Sequence, residues 1–306
     1  MSKRVIVFMG GWSAEREVSL ASGPAVTEAL VEAGYGATAI DVSRDMAALL
    51  AALDPAPDVV FNALHGRYGE DGRIQSLLDM LAIPYTHSGV LASSLAMNKP
   101  MAKKILEAAG IRCTPGQVVA AADLWQGDII ERPYVVKPID EGSSVLVHIV
   151  TEDDPARPFS EADWPYGDVV LVEPYIPGRE LTVSVMGNRA LEVTEIRPRQ
   201  GFYDYTAKYT DGKADHIVPA PVPPEIHAEA MRLALAAHHA LDCRGVSRAD
   251  FRYDDTVDDP GHLYCLEVNT QPGMTPLSLV PEQALHVGIS FPEICAWMVE
   301  NAQCDG

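Results

Sequence analysis

Long apolar runs, paired cysteines and an excess of basic residues are all missing from this 306-residue sequence. Its apolar segments are shorter than the roughly 18 residues that a membrane-spanning helix needs, which argues against a membrane protein. The five cysteines are scattered without a C-x-x-C pair, so neither a disulfide framework nor a structural zinc site is indicated. A formal charge of −20 repels nucleic-acid phosphates and makes nucleic acid an unexpected partner. We expect a cytoplasmic protein.

The first third of the chain alternates between strand-like and helix-like segments. Short β-branched runs predict strands, and apolar residues at helical spacing predict the helices between them. This alternation is typical of a parallel sheet covered by helices, so the predicted class is α/β. The predicted strands are 3–9, 37–42 and 59–64, and the predicted helices are 14–33, 46–53 and 74–81.

Longer strands in the rest of the chain predict a more antiparallel sheet and α+β character. An acidic turn through Pro260 and Gly261 separates strands 246–253 and 263–269, which is a hairpin signal. The segment 198–216 is polar and aromatic, and is predicted to be a long loop. Further strands are predicted at 134–138, 169–173, 181–186 and 190–196, and helices at 99–109 and 225–241.

The predicted hairpin carries charged and polar side chains on one face. Because side chains alternate along a strand, Glu267 and Asn269 face the same way. Arg248 and Asp250 likewise share a face of the other strand. If the register sets Asp250 beside Glu267, hard oxygen ligands converge there, and such ligands suit Mg²⁺. A solvated acidic face is the alternative, but Glu267 interrupts an apolar strand where an unpaired carboxylate would be costly.

Lys137 ends a predicted strand and is followed closely by Gly142, Ser143 and Ser144. An ammonium group, hydroxyls and backbone N–H groups are the parts of a phosphate cradle. The pattern G-x-x-x-x-G-K-[ST] is absent, and a glycine-serine turn by itself is more often only a turn. A second lysine, Lys99, begins the preceding predicted helix.

Two glycine-containing loops follow predicted strands in the first third of the chain. Gly10 and Gly11 lead into a helix, as at anion-binding helix N-termini, but the G-x-G-x-x-G spacing of a dinucleotide site is missing. Glu15 is placed in the first helical turn, where an acid is favourable for the helix dipole alone. Its functional and purely structural roles therefore both stay open. The loop from His65 to Gly72 fits a binding edge beyond the carboxyl end of a strand.

Seven segments carry a family resemblance: GGWSAEREVSL at 10–20, NALHGRYGEDG at 62–72, IPYTHSGVLASSLAMNK at 83–99, VVKPIDEGSSV at 135–145, FYDYTAKY at 202–209, SRADF at 247–251 and EVNTQPGMTPLSLVPE at 267–282. In this order they resemble the D-alanine–D-alanine ligases of the ATP-grasp superfamily. The resemblance covers nearly the whole chain, and seven ordered motifs are far more specific than one.

The resemblance implies three α/β domains, 1–96, 97–178 and 179–306, with ATP between the second and third. It implies an ATP site formed by Lys99, Lys137, Ser144 and Lys208 at the phosphates, Glu173 beside adenine and Glu180 at the ribose. Two Mg²⁺ (or Mn²⁺) ions would lie on Asp250, Glu267 and Asn269. Catalytic roles would fall to Glu15, Ser143 and Tyr209 at the first D-alanine and to Arg248 and the Gly273 backbone at the tetrahedral intermediate. His65 would lie near the first substrate, and Ser278 and Leu279 near the second.

The implied reaction turns a carboxylate into an acyl phosphate with ATP and joins it to the amine of a second D-alanine. Metal ions and lysines would offset the repulsion between anions. The segment 198–216 would act as a lid that protects the acyl phosphate from water. The family expectation for assembly is a homodimer.

The sequence departs from the family pattern at Leu146, at Asn98 and Pro100 beside Lys99, and at Leu277. Two alternatives remain beside the leading interpretation. One is an ATP-grasp ligase with another second substrate such as D-lactate, against which Tyr209 speaks. The other is a nucleotide-binding regulator without catalysis, which has no need of metal ligands and an oxyanion arginine together.

Overall fold

The computed structural model describes residues 2–142, 147–156, 158–161, 164, 167–199, 214–276 and 278–305. Within these ranges the chain forms three sheets with helices packed on them. The predicted mixture of α/β and α+β architecture is therefore confirmed. Among the helices of this described part, none has the length and apolar character needed to cross a bilayer.

The first sheet is parallel, as predicted, with the strand order β2-β1-β3. Side chains alternate along β1 but both of its faces are buried, with Val5 and Val7 in one apolar cluster and Ile6 and Phe8 in another. This explains why the strand reads as one continuous apolar run. The elements are β1 (Arg4–Gly10), α1 (Arg16–Glu32), β2 (Gly36–Val42), α2 (Met46–Ala52), β3 (Val59–Asn62) and α3 (Arg73–Met80).

The second sheet is antiparallel, with the order β4-β7-β5-β6. Tyr134, Val136 and Val172 fill its own small core, so Lys137 and Glu173 belong to the opposite face. The elements of this region are α4 (Val90–Met97), α5 (Lys99–Ala108), β4 (Gln117–Ala120), α6 (Ala121–Leu124), β5 (Tyr134–Pro138), β6 (His148–Val150) and β7 (Val169–Pro174).

The third sheet is also antiparallel, with the order β10-β9-β8-β11-β12, as expected for the longer strands. Helix α7 covers one face together with α5, whose Ala102 and Leu106 join the core of this sheet. Helix α8 packs on the other face. The elements are β8 (Arg179–Met186), β9 (Arg189–Pro198), β10 (Ala214–Ile217), α7 (Pro224–Ala240), β11 (Val246–Asp254), β12 (His262–Asn269), α8 (Leu279–His286) and α9 (Phe291–Glu300).

One predicted loop needs correction at both of its ends. Pro198 belongs to β9, and residues 214–217 form β10, which pairs with β9 along the sheet edge. The prediction failed because backbone pairing to a neighbouring strand offsets the weak apolar pattern of this polar segment. The remainder of the predicted lid, 200–213, lies outside the described residues.

Helices α4, α6, α8 and α9 were not predicted, and each is only 4 to 10 residues long. The unusual Asn98 also has a local explanation, because its side chain caps α5 by accepting from the Met101 N–H over 3.1 Å. Pro100 stands in the first turn of that helix, where no backbone N–H is needed. The Asn-Lys-Pro sequence therefore begins α5 firmly and fixes Lys99 at its first position.

Candidate active site

The hairpin of β11 and β12 has the register that the sequence left open. Asp250 lies directly opposite Glu267, and Arg248 lies opposite Asn269. Phe251 pairs with Cys265, so Leu266 is an additional residue that forms a β-bulge. The bulge reverses the alternation of β12, because Cys265 and Val268 both lie in the apolar core. As a result Glu267 stays on the face of Asp250 instead of turning into the core.

The oxygen atoms on this face are held by specific partners. Asp250 accepts a hydrogen bond from Thr182 Oγ1 over 2.6 Å and a bidentate pair from the Arg248 guanidinium. Glu267 Oε2 lies 3.4 Å from the Lys99 ammonium. Asn269 Oδ1 accepts from the Gln271 N–H over 2.8 Å. Each carboxylate has a cationic side chain nearby, Arg248 beside Asp250 and Lys99 beside Glu267. These positive charges offset the repulsion between the two anions.

The donor set fits a magnesium ion by its chemistry. Two carboxylates and an amide oxygen are the hard ligands that Mg²⁺ takes, and it normally leaves several positions to water and phosphate. The described ranges contain no group of three or more His, Cys, Asp or Glu side chains able to hold a metal by themselves. On such an ion, Asp250, Glu267 and Asn269 would leave the remaining coordination positions to water and phosphate.

A cavity opens beside this face, between the hairpin and the first two sheets. Lys99 lies in its wall and donates from Nζ to the Glu141 carbonyl. Lys99, Glu267 and Asn269, which were predicted separately as phosphate and metal ligands, therefore line one space. The full lining is Glu70, Ala96, Met97, Lys99, Glu141, Gly142, Glu267, Val268, Asn269 and Thr270.

Lys137 and Glu173 form a buried ion pair with a third residue that the sequence analysis missed. The Lys137 ammonium lies 2.6 Å from one Glu173 oxygen, and Lys103 pairs with the other. Burial, and then the charges of Lys103 and Lys99, lower the pKa of Lys137 to about 7, while the charge of Glu267 opposes them. Burial lowers the pKa of Lys103 to about 8. Lys103 could have been suspected, since it lies four residues after Lys99 on the same face of α5.

Glu180 lies on β8 opposite Arg252, and 4.0 Å separate their nearest charged atoms. Two positions further along these strands, Thr182 lies opposite Asp250. Alternation therefore sets Glu180 on the same face of the third sheet as Asp250 and Arg248. The predicted ribose and metal ligands share one surface.

A second acidic group forms around Glu15, at the carboxyl end of the first sheet. Glu15 precedes α1 rather than lying inside its first turn, and it is buried. Its Oε1 and that of Glu70 both approach Gly142, where an added Cβ would lie 2.8 Å and 3.1 Å from them. Burial, and then the charge of Glu15, raise the pKa of Glu70 well above its usual range. This pair of carboxylates forms a pocket suited to an ammonium group.

Glu70 was not identified from the sequence, although it stands inside the motif that carries His65. His65 itself is buried, and its Nε2 lies 3.3 Å from Ser22 Oγ. Burial lowers the pKa of His65 to about 4, partly offset by the Gln271 backbone and reinforced by the Arg248 charge. His65 is therefore neutral near pH 7, and it is close enough to Arg248 to feel its charge.

Gly273, Ser278 and Leu279 lie together in the connection from β12 to α8. A Cβ on Gly273 would lie 3.1 Å from Ser278 Oγ, which also accepts from the Thr275 N–H over 3.0 Å. Ser278 is the N-cap of α8 and Leu279 is its first residue. Four other predicted site residues, Ser143, Ser144, Lys208 and Tyr209, lie outside the described residues, as do Leu146 and Leu277.

The arrangement combines three chemical elements, and Lys99, Glu70 and Glu267 from among them line one cavity. Lysines and oxygen ligands can hold a polyphosphate with a divalent cation, an acidic pocket can hold an ammonium group, and a guanidinium can meet a developing negative charge. Such a combination suits phosphoryl transfer to a carboxylate followed by attack of an amine.

Comparisons with known proteins agree with this chemistry. The family model described as D-ala D-ala ligase C-terminus matches residues 105–300, and the one described as D-ala D-ala ligase N-terminus matches residues 49–88. The D-alanine–D-alanine ligase of Rhodospirillum rubrum is 60% identical over 306 residues, covering 100% of both chains. That of Acidiphilium cryptum is 58% identical over 302 residues, covering 99% of both. A crystal structure of the Bacillus anthracis ligase complexed with ATP has a TM-score of 0.81 and 32% identity, covering 98% of this chain and 97% of that one.

Proposed function

Because this chain belongs to the D-alanine–D-alanine ligase family, we propose that it condenses two D-alanine molecules with ATP into D-alanyl-D-alanine for peptidoglycan synthesis. It is an ATP-dependent ligase, and ATP is its substrate. The observation that carries the proposal is the pairing of Asp250 with Glu267, with Lys99 3.4 Å from Glu267. This pairing supports a cation site and a phosphate-binding lysine next to the acidic pocket of Glu15.

In the first step the carboxylate of one D-alanine attacks the γ-phosphorus of ATP, which forms an acyl phosphate and releases ADP. Lys99, Lys137 and Ser144 would contact the phosphates, with Lys208 reaching the γ-phosphate from the segment 198–216. Glu173 and the adjacent backbone would meet adenine, and Glu180 the ribose hydroxyls. ATP would lie between the proposed domains 97–178 and 179–306, while 1–96 carries the first amino acid.

Asp250, Glu267 and Asn269 would hold two Mg²⁺ or Mn²⁺ ions. When bound, these ions would neutralise the phosphate oxygens and so reduce their repulsion of the incoming carboxylate. The support for this assignment is the shared face of the three residues and the hard oxygen chemistry of their side chains.

The first D-alanine would be oriented through its ammonium by Glu15, with Ser143 and Tyr209 completing the hydrogen-bonded set and neutral His65 nearby. Bulk water has little access to the Glu15 carboxylate, because the residue is only 4% exposed. An ammonium therefore gains a strong charge-assisted hydrogen bond there.

In the second step the amine of another D-alanine, seated by Ser278 and Leu279, attacks the carbonyl carbon of the acyl phosphate. The tetrahedral intermediate carries its negative charge on the former carbonyl oxygen, toward which Arg248 and the Gly273 N–H would donate. Inorganic phosphate then leaves as the peptide bond forms, and the amine loses a proton. Closure of the segment 198–216 would keep water away from the acyl phosphate.

A homodimer and a cytoplasmic location belong to the same proposal. Their support is the family membership and the use of ATP as a substrate. The homodimer is checked by light scattering of the purified protein, for which a mass of one chain would contradict it.

The proposed reaction is tested by following phosphate release from ATP with D-alanine, L-alanine and a mixture of D-alanine with D-lactate, and by identifying products by mass spectrometry. We expect phosphate release with D-alanine and a product with the mass of the dipeptide. A depsipeptide formed in preference to the dipeptide would show that the second substrate is D-lactate and not D-alanine. Absence of any D-alanine-dependent phosphate release would overturn the proposal.

A further inference from the structure

Two buried amide side chains, Asn62 and Gln271, join segments 209 residues apart in the sequence. Asn62 Nδ2 donates to Gln271 Oε1 over 2.7 Å and to the Gly69 carbonyl over 2.9 Å. Gln271 Nε2 donates to the Leu64 carbonyl, and the Leu64 N–H donates back to Asn62 Oδ1 over 3.3 Å. Asn62 is 0% and Gln271 1% exposed, so water cannot replace these bonds. We call this pair the amide bridge.

The amide bridge connects the two sides of the proposed active site. One end lies at the carboxyl end of β3 and holds the loop that carries His65 and Glu70. The other end directly follows β12, where the Gln271 N–H donates to Asn269 Oδ1 over 2.8 Å. Gly273, the proposed oxyanion donor, comes two residues later. The first-substrate pocket and the metal-binding strand are thus linked through one side chain.

We propose that Gln271 is a positioning residue that sets the separation between the acyl phosphate and the groups that complete its reaction. This inference rests on the proposed function. The first D-alanine is held by the N-terminal side, while Asn269, Gly273 and the second D-alanine belong to the C-terminal side. A displacement of about 1 Å between reacting groups can cost about 10²-fold in rate. A fixed bridge between the two sides prevents such a displacement.

Glutamine suits this position because it both donates and accepts. Gln271→Leu replaces the amide by a shorter, apolar side chain and leaves the Leu64 carbonyl and one Asn62 N–H buried without partners. Gln271→Glu keeps an acceptor for Asn62 but turns a second acceptor toward the Leu64 carbonyl, which repels it. The two variants therefore loosen the amide bridge to different degrees, and Gln271→Glu does so without changing the size of the side chain.

The experiment measures dipeptide and phosphate in the same reaction, with saturating ATP and varied D-alanine. In the wild-type enzyme each phosphate accompanies one dipeptide. In Gln271→Leu and Asn62→Leu we expect dipeptide formation to fall by about tenfold or more, because the reacting groups are misplaced. We also expect the phosphate-to-dipeptide ratio to rise to about two or more, because water attacks the exposed acyl phosphate and returns D-alanine and phosphate. The KM for ATP should change by less than about twofold, because Gln271 contacts the proposed metal ligand Asn269 through its backbone N–H, which the substitutions retain.

Gln283 offers a matched control, because its buried amide bonds only groups of the third sheet and does not connect the two sides of the proposed active site. It is 0% exposed, and its amide bonds the Ser184 N–H, the Thr182 carbonyl and Thr194 Oγ1, all within the third sheet. Gln283→Leu should lower stability as Gln271→Leu does, but should keep the ratio of phosphate to dipeptide at one. This separates loss of position from loss of stability.

Three results decide the inference. A raised ratio in Gln271→Leu and Asn62→Leu, a similar ratio in the double variant and an intermediate one in Gln271→Glu support the bridge. If the Leu variants do not fold, Gln271→Glu alone carries the test. Suppose the wild-type enzyme forms one dipeptide for each phosphate, and the folded variants keep the same ratio and the same KM for D-alanine. That result overturns the positioning role of Gln271 and leaves the proposed function intact. A wild-type enzyme that forms no dipeptide overturns both.

Discussion

The Arg248 guanidinium holds both oxygens of Asp250, two residues further along β11, at 2.8 Å and 2.7 Å. The proposed oxyanion donor and a proposed metal ligand are therefore bound to each other in this structure. A divalent cation at Asp250 would compete with the guanidinium for the same oxygens.

Arg248→Lys tests this pair. Lysine keeps the charge but cannot present two parallel donors, so it neither grips Asp250 nor reaches the oxyanion in the same geometry. We expect kcat to fall by about 10²-fold or more, as for loss of other oxyanion donors. Steady-state kinetics measure this. Arg232→Lys breaks a similar bidentate pair with Glu229 on the exposed side of α7 and should leave kcat unchanged. Equal effects in both variants would contradict the role of Arg248.

Glu267→Gln tests the metal assignment. The amide retains the shape of the side chain but loses the charge that a divalent cation needs. We expect turnover to be abolished while the melting temperature stays within a few degrees, because the side chain is 25% exposed and not part of the core. Electron paramagnetic resonance of Mn²⁺ with ATP present should show weakened binding. Near-normal turnover would remove Glu267 from the metal site, and Glu229→Gln serves as the exposed control.

His238 predicts a measurable acid sensitivity. It is buried in α7 with Nδ1 2.7 Å from Ser247 Oγ, and burial lowers its pKa to about 4. Below pH 6.5 His238 binds a proton in the unfolded chain, but it stays neutral in the folded protein until the pH approaches 4. The free energy of unfolding should therefore fall by about 1.4 kcal/mol per pH unit for this histidine between pH 6.5 and 4. Above pH 6.5 His238 is neutral in both the folded and the unfolded state, so it no longer lowers the free energy of unfolding.

The measurement compares urea unfolding of the wild type and His238→Asn from pH 7.5 down to pH 4.5. Asparagine keeps a polar atom near Ser247 but does not titrate, so the variant should show the shallower pH slope. The comparison is needed because Glu70, whose pKa burial raises, acts in the opposite direction over part of this range. Parallel slopes for the two proteins would show that His238 titrates in the folded state.

Tyr68 is held in a left-handed backbone conformation, with φ of 73°. Its ring contacts Trp12 at a tilt of 42° with centroids 4.9 Å apart, and the Arg73 guanidinium lies over the Tyr68 ring, 5.0 Å from its centroid. Aromatic pairs of this kind contribute about 0.5–1.5 kcal/mol, which offsets the backbone cost of a similar size. The contact ties the loop before Glu15 to the loop that carries Glu70.

Two substitutions separate the backbone from the ring. Tyr68→Gly removes the ring contact but also the strain, whereas Tyr68→Ala removes the ring contact and keeps the strain. We expect Tyr68→Ala to be less stable than Tyr68→Gly by about 1 kcal/mol in urea unfolding. An alanine variant as stable as the glycine variant would show that this conformation is not strained.

Local patterns in the sequence were enough to predict much of the fold. Alternating strand and helix signals gave the parallel first sheet, and the acidic turn before Gly261 predicted the hairpin of β11 and β12. The family resemblance predicted from ordered motifs is confirmed by the comparisons. These predictions succeed because side-chain periodicity and turn chemistry depend on neighbouring residues only.

The bulge at Leu266 is a feature that local sequence patterns did not predict. Regular alternation would put Glu267 on the side of Cys265, in the core, and only pairing with β11 shows that the extra residue turns it outward. In the same way, β10 forms from a polar segment because β9 offers it an edge. Register and edge pairing depend on a partner strand, which the periodicity of one segment does not describe.

The sequence by itself determined which chemical groups this protein has, in which order, and which strands and helices carry most of them. Only the tertiary structure decided that Lys103 and Lys137 share Glu173, that Glu70 joins Glu15, and that Gln271 reaches Asn62. Each of these contacts closes a loop of tens to hundreds of residues. The residues meet because separate sheets bury their apolar faces against shared helices, and that packing leaves no trace in the local pattern of any one segment.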